Sequence, residues 1–588
     1  MRNVWPYEVT LGWPSRVTLR QLLSWIPVIG ALVLIFAPTL RSQIAFASAP
    51  ENLCDDVRIV NYYFLHFADP SLFTNDVLGR YHSEGTSELY RGIFYLVAKA
   101  GYWYAFTKYV PFVLLGVCLI GLGIAAHRLG GLAAAFVAMA LCLSTQLVLG
   151  RSAGVLPRAF AFPILSLMAA ALVNGRVKAI AWLTVIGAGF YPVLTVIGCL
   201  VLAIYLFLMP SDDRGTSRHW PLRRRVLLIL STAVACAVLT LPFSLRMRAY
   251  GQAIGYDDLR AFPEAGPGGR HDSVTAPPHA PLPEASTVVA RNTVTGVGSS
   301  IVPSMRGAVL KNAEFLGHLR DALAYLTVIG ATLYGLRRSA PMRRLAVLAA
   351  ATGVGYLIAM PVAPSLVVPH RYVLYTVPIV AILCVSSFTL GFLPSSWTNQ
   401  GSIEHGRRAV PLLMSGALVL GFFGGRGDPR AGLGRFIADA DQPVFRAVAQ
   451  LPPSALVAGW PDGTMDSLSV ATHRTPFLSR ELHVPYHSGM TLLLRERMYA
   501  LIDAYFAGDP SPLIRLREQY GVTHLIVAPE RLHSRPSYFR PFQPRITEAH
   551  AQGESRGFES LRQVERCSLF HNETRALLDL SCIRAPGS

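Results

Sequence analysis

Runs of about twenty apolar residues recur through the first three quarters of this chain and constrain it more than any motif does. A helix needs roughly 20 apolar residues to cross about 30 Å of hydrocarbon, and eleven segments approach that measure: about Leu19 to Leu40, Lys108 to Ala126, Gly131 to Leu149, Ala159 to Val173, Ala179 to Phe190, Pro192 to Met209, Val226 to Leu245, Ala322 to Leu336, Leu345 to Pro364, Tyr372 to Leu393 and Val410 to Gly424. Only 15% of the 588 residues are charged and the mean hydropathy is +0.39, values that exclude an ordinary soluble enzyme. The expected fold class is mostly α, a polytopic membrane helical bundle of about eleven spans followed by an exported α/β domain. The first run lacks a small-residue cleavage site after its apolar core and reads as a retained span. The two runs meeting at Tyr191-Pro192 are short, so residues 179–209 read either as two spans or as one kinked helix.

Basic residues orient the spans, because Lys and Arg are retained in short cytoplasmic loops. With residues 1–18 cytoplasmic, the two-span reading places His127-Arg128, Arg176 with Lys178, Arg223-Arg224-Arg225, Arg337-Arg338 with Arg343-Arg344, and Arg407-Arg408 inside. Merging the Tyr191-Pro192 pair exports the richest of these clusters. The net charge of +18, from 53 basic and 35 acidic residues, then reflects topology and anionic headgroups. No basic groove interleaved with aromatics is present, which argues against a nucleic-acid partner.

This orientation divides the chain into a transmembrane domain, residues 19–424, with exoplasmic loops 42–106 and 246–320, and an exported domain, residues 425–588. The second loop is rich in Pro, Gly and Ala around Phe262 to Pro283 and reads as a mobile loop or a lid. Tyr102-Trp103-Tyr104 reads as part of a helix lying on the outer leaflet. In the tail, Arg435 to Leu451, Thr491 to Phe506 and Pro512 to Tyr520 read as helices, Ala455 to Gly459 and His524 to Ala528 as buried strands, and Gln563 to Cys582 as a hairpin turning at Asn572-Glu573. Arg474, Arg480-Glu481, His483, Tyr486 and His487 form a polar cluster there, read as a solvated loop with a local Arg-Glu pair or as an acceptor groove.

Five cysteines lie within spans, where a thiol is a small apolar side chain. Cys567 and Cys582 flank the hairpin, where a disulfide is permitted. Sequence separation does not establish the Cα distance it requires, so bonded and free thiols both stay open. His483 and His487 are spaced for a helical metal pair but enclose Pro485, which disfavours a structural zinc site.

The first exoplasmic loop crowds four carboxylates at one membrane face: Asp55 and Asp56, then Asp69 in Asp69-Pro70, then Asp76. An acidic first exoplasmic loop, a multispan body with short cytoplasmic turns and a terminal exported α/β domain together resemble the GT-C superfamily of membrane glycosyltransferases. The resemblance implies a polyprenyl-phosphate sugar as donor, and an Asp or Glu of the first exoplasmic loop as catalytic base or metal ligand. Asp55 and Asp56 match that position, so they are the candidate catalytic residues and the candidate ligands of a divalent metal cofactor. The Trp-Trp-Asp-Tyr-Gly motif of the oligosaccharyltransferases is absent, which argues against N-glycosylation.

The chemistry can be stated from the residues. An acceptor hydroxyl must lose a proton while a lipid phosphate gains charge, so a carboxylate and a cation must meet beside the membrane. Asp55 and Asp56 serve either in those roles or as caps of a helix beginning near Val57. Asp69 is a turn residue or a substrate contact. Asp76 pairs with Arg80 or orients a cation. For the phosphate, Arg151 and Arg158 bracket Gly154 to Pro157, and His370-Arg371 opens the tenth span, all on the face poor in positive charge. Arginine recognises phosphate with two parallel hydrogen bonds, while snorkelling is the plain alternative. Tyr191 lies at the same face. The candidate substrate-binding set is therefore Asp69, Asp76, Arg158, Tyr191, His370 and Arg371.

The expected function is sugar transfer from a polyprenyl-phosphate donor to an extracytoplasmic acceptor, in a bacterial inner membrane. A transporter or flippase of a lipid-linked precursor is the second reading, although ionisable residues at mid-membrane and internal repeats, which it requires, are not evident. A non-catalytic envelope scaffold is the third.

Overall fold

The computed structural model describes residues 23–145, 147–208, 220–255, 257–266, 268–270, 340–362, 370–391 and 430–584. Two expected spans, Ala322 to Leu336 and Val410 to Gly424, lie outside them, as does most of the Pro/Gly-rich loop.

Among the described residues, four helices are long and apolar enough to cross a membrane: Ile26–Ser48, Trp103–Thr145, Leu222–Tyr250 and Ala340–Ala359. Shorter apolar helices run Pro157–Val173, Val177–Phe190, Val193–Leu208 and Arg371–Ser387. The long segment Trp103–Thr145 is two helices, because Gly130 and Gly131 leave helical geometry and Gly131 takes φ of 76°, a left-handed conformation that glycine adopts without a steric cost. The turn sits beside His127-Arg128, where the basic pair had placed it. The residues around Tyr191-Pro192 also form two helices. A Cβ on Gly198 would collide with Thr184 and one on Gly187 would meet Leu194 at 2.9 Å, so the second helix folds back along the first and the kinked single helix is ruled out.

The first span ends later in the sequence than expected. Its described helix runs Ile26–Ser48 and so continues past the expected end at Leu40. Arg41, Ser42 and Gln43 continue the helix, with Ser42 and Ser48 hydroxyls donating back to the Thr39 and Ala45 carbonyls, which lets polar side chains persist in a helix. Tyr102-Trp103-Tyr104 does not form a helix of its own on the surface but opens the long helix Trp103–Thr145. Trp103 is buried, its Nε1 donating to the Asn61 carbonyl, and the amphipathic helix of this loop is Glu88–Lys99.

The C-terminal region carries a five-stranded mixed sheet in the order β4 (Thr475–Pro476), β3 (Leu456–Gly459), β5 (His524–Val527), β7 (Ala576–Asp579), β6 (Ser568–His571). β3 pairs in parallel with β4 and β5, while β5–β7 and β7–β6 are antiparallel. β3 and β5 are buried at every position, as continuous apolar runs covered on both faces must be. β6 alternates with every second residue exposed and forms an edge. Asn572 Oδ1 accepts from the backbone N–H groups of Thr574 and Arg575 and closes the hairpin. Cys567 and Cys582 are disulfide-bonded with a Cα separation of 5.6 Å. The expected helix from Arg435 begins late, at Gln442–Ala449, because Gly434–Arg435 is a strand, β2, paired antiparallel with β1 (Asn52–Leu53).

That pairing ties the chain just past the first span to the entry of the C-terminal domain. Arg58 Nη1 donates to Ser467 Oγ at 2.8 Å, and the Tyr81 hydroxyl meets His487 Nδ1 at 2.8 Å. The start of the second loop joins in, with Glu264 accepting two hydrogen bonds from Arg495 and Arg270 paired with Glu481. Both loops and the domain thus gather at one end of the bundle, here called the loop face.

Candidate functional site at the loop face

The short helix Asp55–Ile59 starts from Cys54, whose side chain makes no capping bond. Neither Asp55 nor Asp56 is the residue before that helix, so the capping alternative fails, and the two side chains diverge. Asp55 accepts from Arg58 at 2.9 and 2.6 Å, whereas Asp56 is ion-paired with Arg158. The Asp56 and Arg158 side chains keep 36% and 27% of their exposure, so the pair is reachable.

Backbone fit sets this pair. Gly154 has φ of 76°, and a Cβ there would collide with Val57 and touch Cys54. Its carbonyl accepts from Asn61 Nδ2 at 2.9 Å, and the fully buried Asn61 also accepts from Tyr90 and offers its own carbonyl to Trp103. The turn at Gly154 therefore lies flat against the Asp55–Ile59 helix, and Arg158, four residues on past the extended Leu156, arrives beside Asp56. Nothing in its immediate sequence marks Asn61 as the residue that fastens these pieces.

Arg158 is within electrostatic reach of Arg371 and Tyr375, and Arg371 of Tyr191, Tyr375 and Tyr486. The Tyr375 and Tyr191 rings meet edge to face at 5.9 Å. The buried Tyr191 hydroxyl lies beside Arg371 without a well-formed hydrogen bond, and Arg158 Nε is buried without a partner among the described residues. Asp56, Arg158, Arg371 and Tyr191 thus share one neighbourhood, and His370 begins the helix that carries Arg371. Sequence reading missed Tyr375, which stands one turn after Arg371 on the same helix face.

The other candidates lie elsewhere. Asp76 is fully buried: Oδ1 caps the helix Val77–Glu84 through the Gly79 N–H at 2.8 Å, and Oδ2 accepts from the Tyr62 hydroxyl at 2.5 Å. Burial pushes its carboxyl up to about 6. With no surface for substrate and no bond to Arg80, it is a capping residue. Asp69 is exposed and accepts from the Ser71 backbone and hydroxyl, bonds that hold its carboxyl below the usual range; it closes a turn, as Asp before Pro does. The tail cluster also separates. Glu481 pairs with Arg270 and not with Arg480, whose guanidinium lies over Tyr538 and Phe539. Arg474 is buried with its guanidinium on the carbonyls of Ala449, Leu451, Thr472 and His473. His483 is buried against Tyr538, with its ring pushed down to about 3 by desolvation.

A divalent metal is the cofactor the resemblance implied, and the donors do not fit one. Asp55 and Asp56 face different arginines, and no group of three His, Cys, Asp or Glu side chains converges among the described residues.

No protein-family model matches the sequence, and no curated protein sequence does. Solved structures do match. The apo crystal structure of ArnT from Cupriavidus metallidurans covers 95% of this chain and 100% of its own at 15% identity, with a TM-score of 0.50. The Archaeoglobus fulgidus oligosaccharyltransferase matches over 87% of this chain and 70% of its own (13% identity, TM-score 0.44). The arabinofuranosyltransferase AftD from mycobacteria matches over 87% of this chain but only 35% of its own (16% identity, TM-score 0.46). The end-to-end match to ArnT carries the fold assignment: this chain has the fold of ArnT, and among the described residues it has helices long and apolar enough to cross a membrane.

Proposed function

We propose that the protein is an integral membrane glycosyltransferase acting on the exoplasmic side, which is the loop face, and that it transfers a sugar from a polyprenyl-phosphate donor to a hydroxyl acceptor. The observation that carries this reading is the meeting of one reachable carboxylate, Asp56, with two arginines, Arg158 and Arg371, at the membrane end of the bundle. The ArnT whose fold the chain shares has also been solved bound to undecaprenyl phosphate, which makes a sugar carried on a lipid phosphate of that type the donor to test first.

In this reading Asp56 takes the proton of the acceptor hydroxyl as its oxygen bonds to the anomeric carbon. The bond from that carbon to the phosphate oxygen breaks, and its electron pair stays with the lipid phosphate. Arg158 Nε and the Arg371 guanidinium take up that charge, which two cations in a partly dehydrated site stabilise better than water does. The Tyr191 hydroxyl offers a further donor. Tyr486 links the site to the C-terminal domain, which then forms part of the acceptor side.

Purified protein in liposomes, supplied with polyprenyl-phosphate sugars, tests the reading. The Asp55→Asn/Asp56→Asn double variant, stable and correctly inserted, should lose transfer; full retention overturns the assignment, and lipid translocation without sugar transfer favours a transporter. For orientation, alkaline phosphatase fused to the C-terminus should be active.

A further inference from the structure

The transfer chemistry leaves unused a cavity of about 420 Å³ beside the helix Glu88–Lys99, walled by Arg80, Arg91, Lys99 and His66 against one carboxylate, Glu84. Arg91 and Lys99 stand two helical turns apart with Tyr95 between them, on one face of the helix. The other face, Tyr90, Phe94 and Ala98, is buried in the core, and there Tyr90 bonds Asn61 and lies within reach of Arg158. The same helix therefore backs onto the Asp56 site and fronts this cavity, which keeps the two apart.

Charge in the cavity is not balanced. Glu84 accepts from the Tyr250 hydroxyl at 2.8 Å, and the nearby Glu88 is committed to Arg246 at 2.5 Å. Arg80 donates to the Thr74 carbonyl and Arg91 lies over the Phe67 ring; among the described residues neither these arginines nor Lys99 forms a salt bridge with a carboxylate. Burial and the neighbouring Arg246 push the Arg91 guanidinium below its usual range, outweighing the opposing pull of Glu84 and Glu88. Beside Lys99 the surface is apolar: Leu96 and Tyr102 are 66% and 67% exposed, as residues in the headgroup layer of a bilayer are.

We propose that this cavity binds the phosphate- or carboxylate-bearing headgroup of an anionic lipid in the adjacent leaflet, at a place separate from the Asp56–Arg158 pair. The cations clamp the anionic group, Tyr63 and Tyr95 supply hydroxyls at the rim, and the apolar shoulder at Leu96 and Tyr102 receives the acyl chains. Bound lipid would stiffen the first loop from the side opposite its catalytic face.

The test needs no sugar transfer. The full chain is placed in phosphatidylcholine nanodiscs and titrated with fluorescent phosphatidylglycerol, with inorganic phosphate as competitor. The wild type should prefer phosphatidylglycerol over fluorescent phosphatidylcholine, and Arg91→Gln/Lys99→Gln should weaken that binding by about tenfold or more, as loss of charged hydrogen bonds does. Lys99→Gln alone, at an exposed helix end, should show a smaller loss at unchanged thermal stability. Millimolar phosphate should leave the lipid bound. Equal preference in the wild type and both variants overturns the proposal. So does phosphate competing fully where no lipid preference exists, which would assign the cavity to a soluble anion.

Discussion

Arginines at the span ends and arginines in the C-terminal domain look alike in the sequence and behave differently. Arg474 and Arg575 are saturated: the first spends its guanidinium on four backbone carbonyls, the second reaches Asp441 at 2.8 Å and Glu530 at 3.0 Å. Arg158 has one carboxylate partner and an unused Nε, and Arg371 has tyrosines around it. Completeness of the partner set separates a strut from a binding group, because a buried donor left open is costly unless something arrives to fill it. The comparison predicts that breaking a strut lowers stability, whereas breaking a span-end group lowers turnover or affinity.

The largest effect should come from Asp56→Asn, which keeps size and most hydrogen bonding but removes the base: transfer should slow by roughly 100- to 10,000-fold with an unchanged melting temperature, measured in liposomes. Arg575→Ala should do the converse. It strands Asp441 in the interior and should cost about 3–5 kcal/mol of stability in the C-terminal domain, read by denaturant unfolding, and a variant as stable as the wild type would erase the distinction drawn above. Arg371→Ala should have a smaller effect than either, raising KM for the lipid donor by about tenfold or more while kcat at saturating donor changes less, the pattern of a lost phosphate contact; an equal fall in kcat would make it a transition-state group.

The smallest effect concerns pH. His483 titrates well below an unfolded histidine, so its neutral form is favoured on folding; its contribution is present above about 6.5 and is lost as pH falls from there towards about 3. His483→Gln should remove that part of the acid sensitivity, so the gap between wild-type and variant melting temperatures should narrow from pH 7 to pH 5. A constant gap would sink the account.

Hydropathy located most of the apolar helices among the described residues because the bilayer demands apolar length, and turns such as Gly130-Gly131 beside His127-Arg128 carried their own markers. The first span ended later than expected because Arg41 and Gln43 look like an end yet continue the helix. Asp76 could not be separated from Asp56 by sequence, since one is buried by Tyr62 and the other faces Arg158, partners 14 and 102 positions away. The Asp56–Arg158–Arg371 grouping was legible as residue types on one membrane face; what sequence lacked was Asn61, which aligns the pieces through three long-range hydrogen bonds.

The short pairing of β1 with β2, and the bond from Arg58 to Ser467 across 409 positions, have a consequence for biogenesis. The first loop leaves the ribosome early, but the segment that closes over it is made 409 positions later, a delay of roughly 20 to 80 s at about 5–20 residues per second. Throughout that interval Arg58 has Asp55 but not Ser467, so a nascent chain halted before the tail would carry a first loop without its cover.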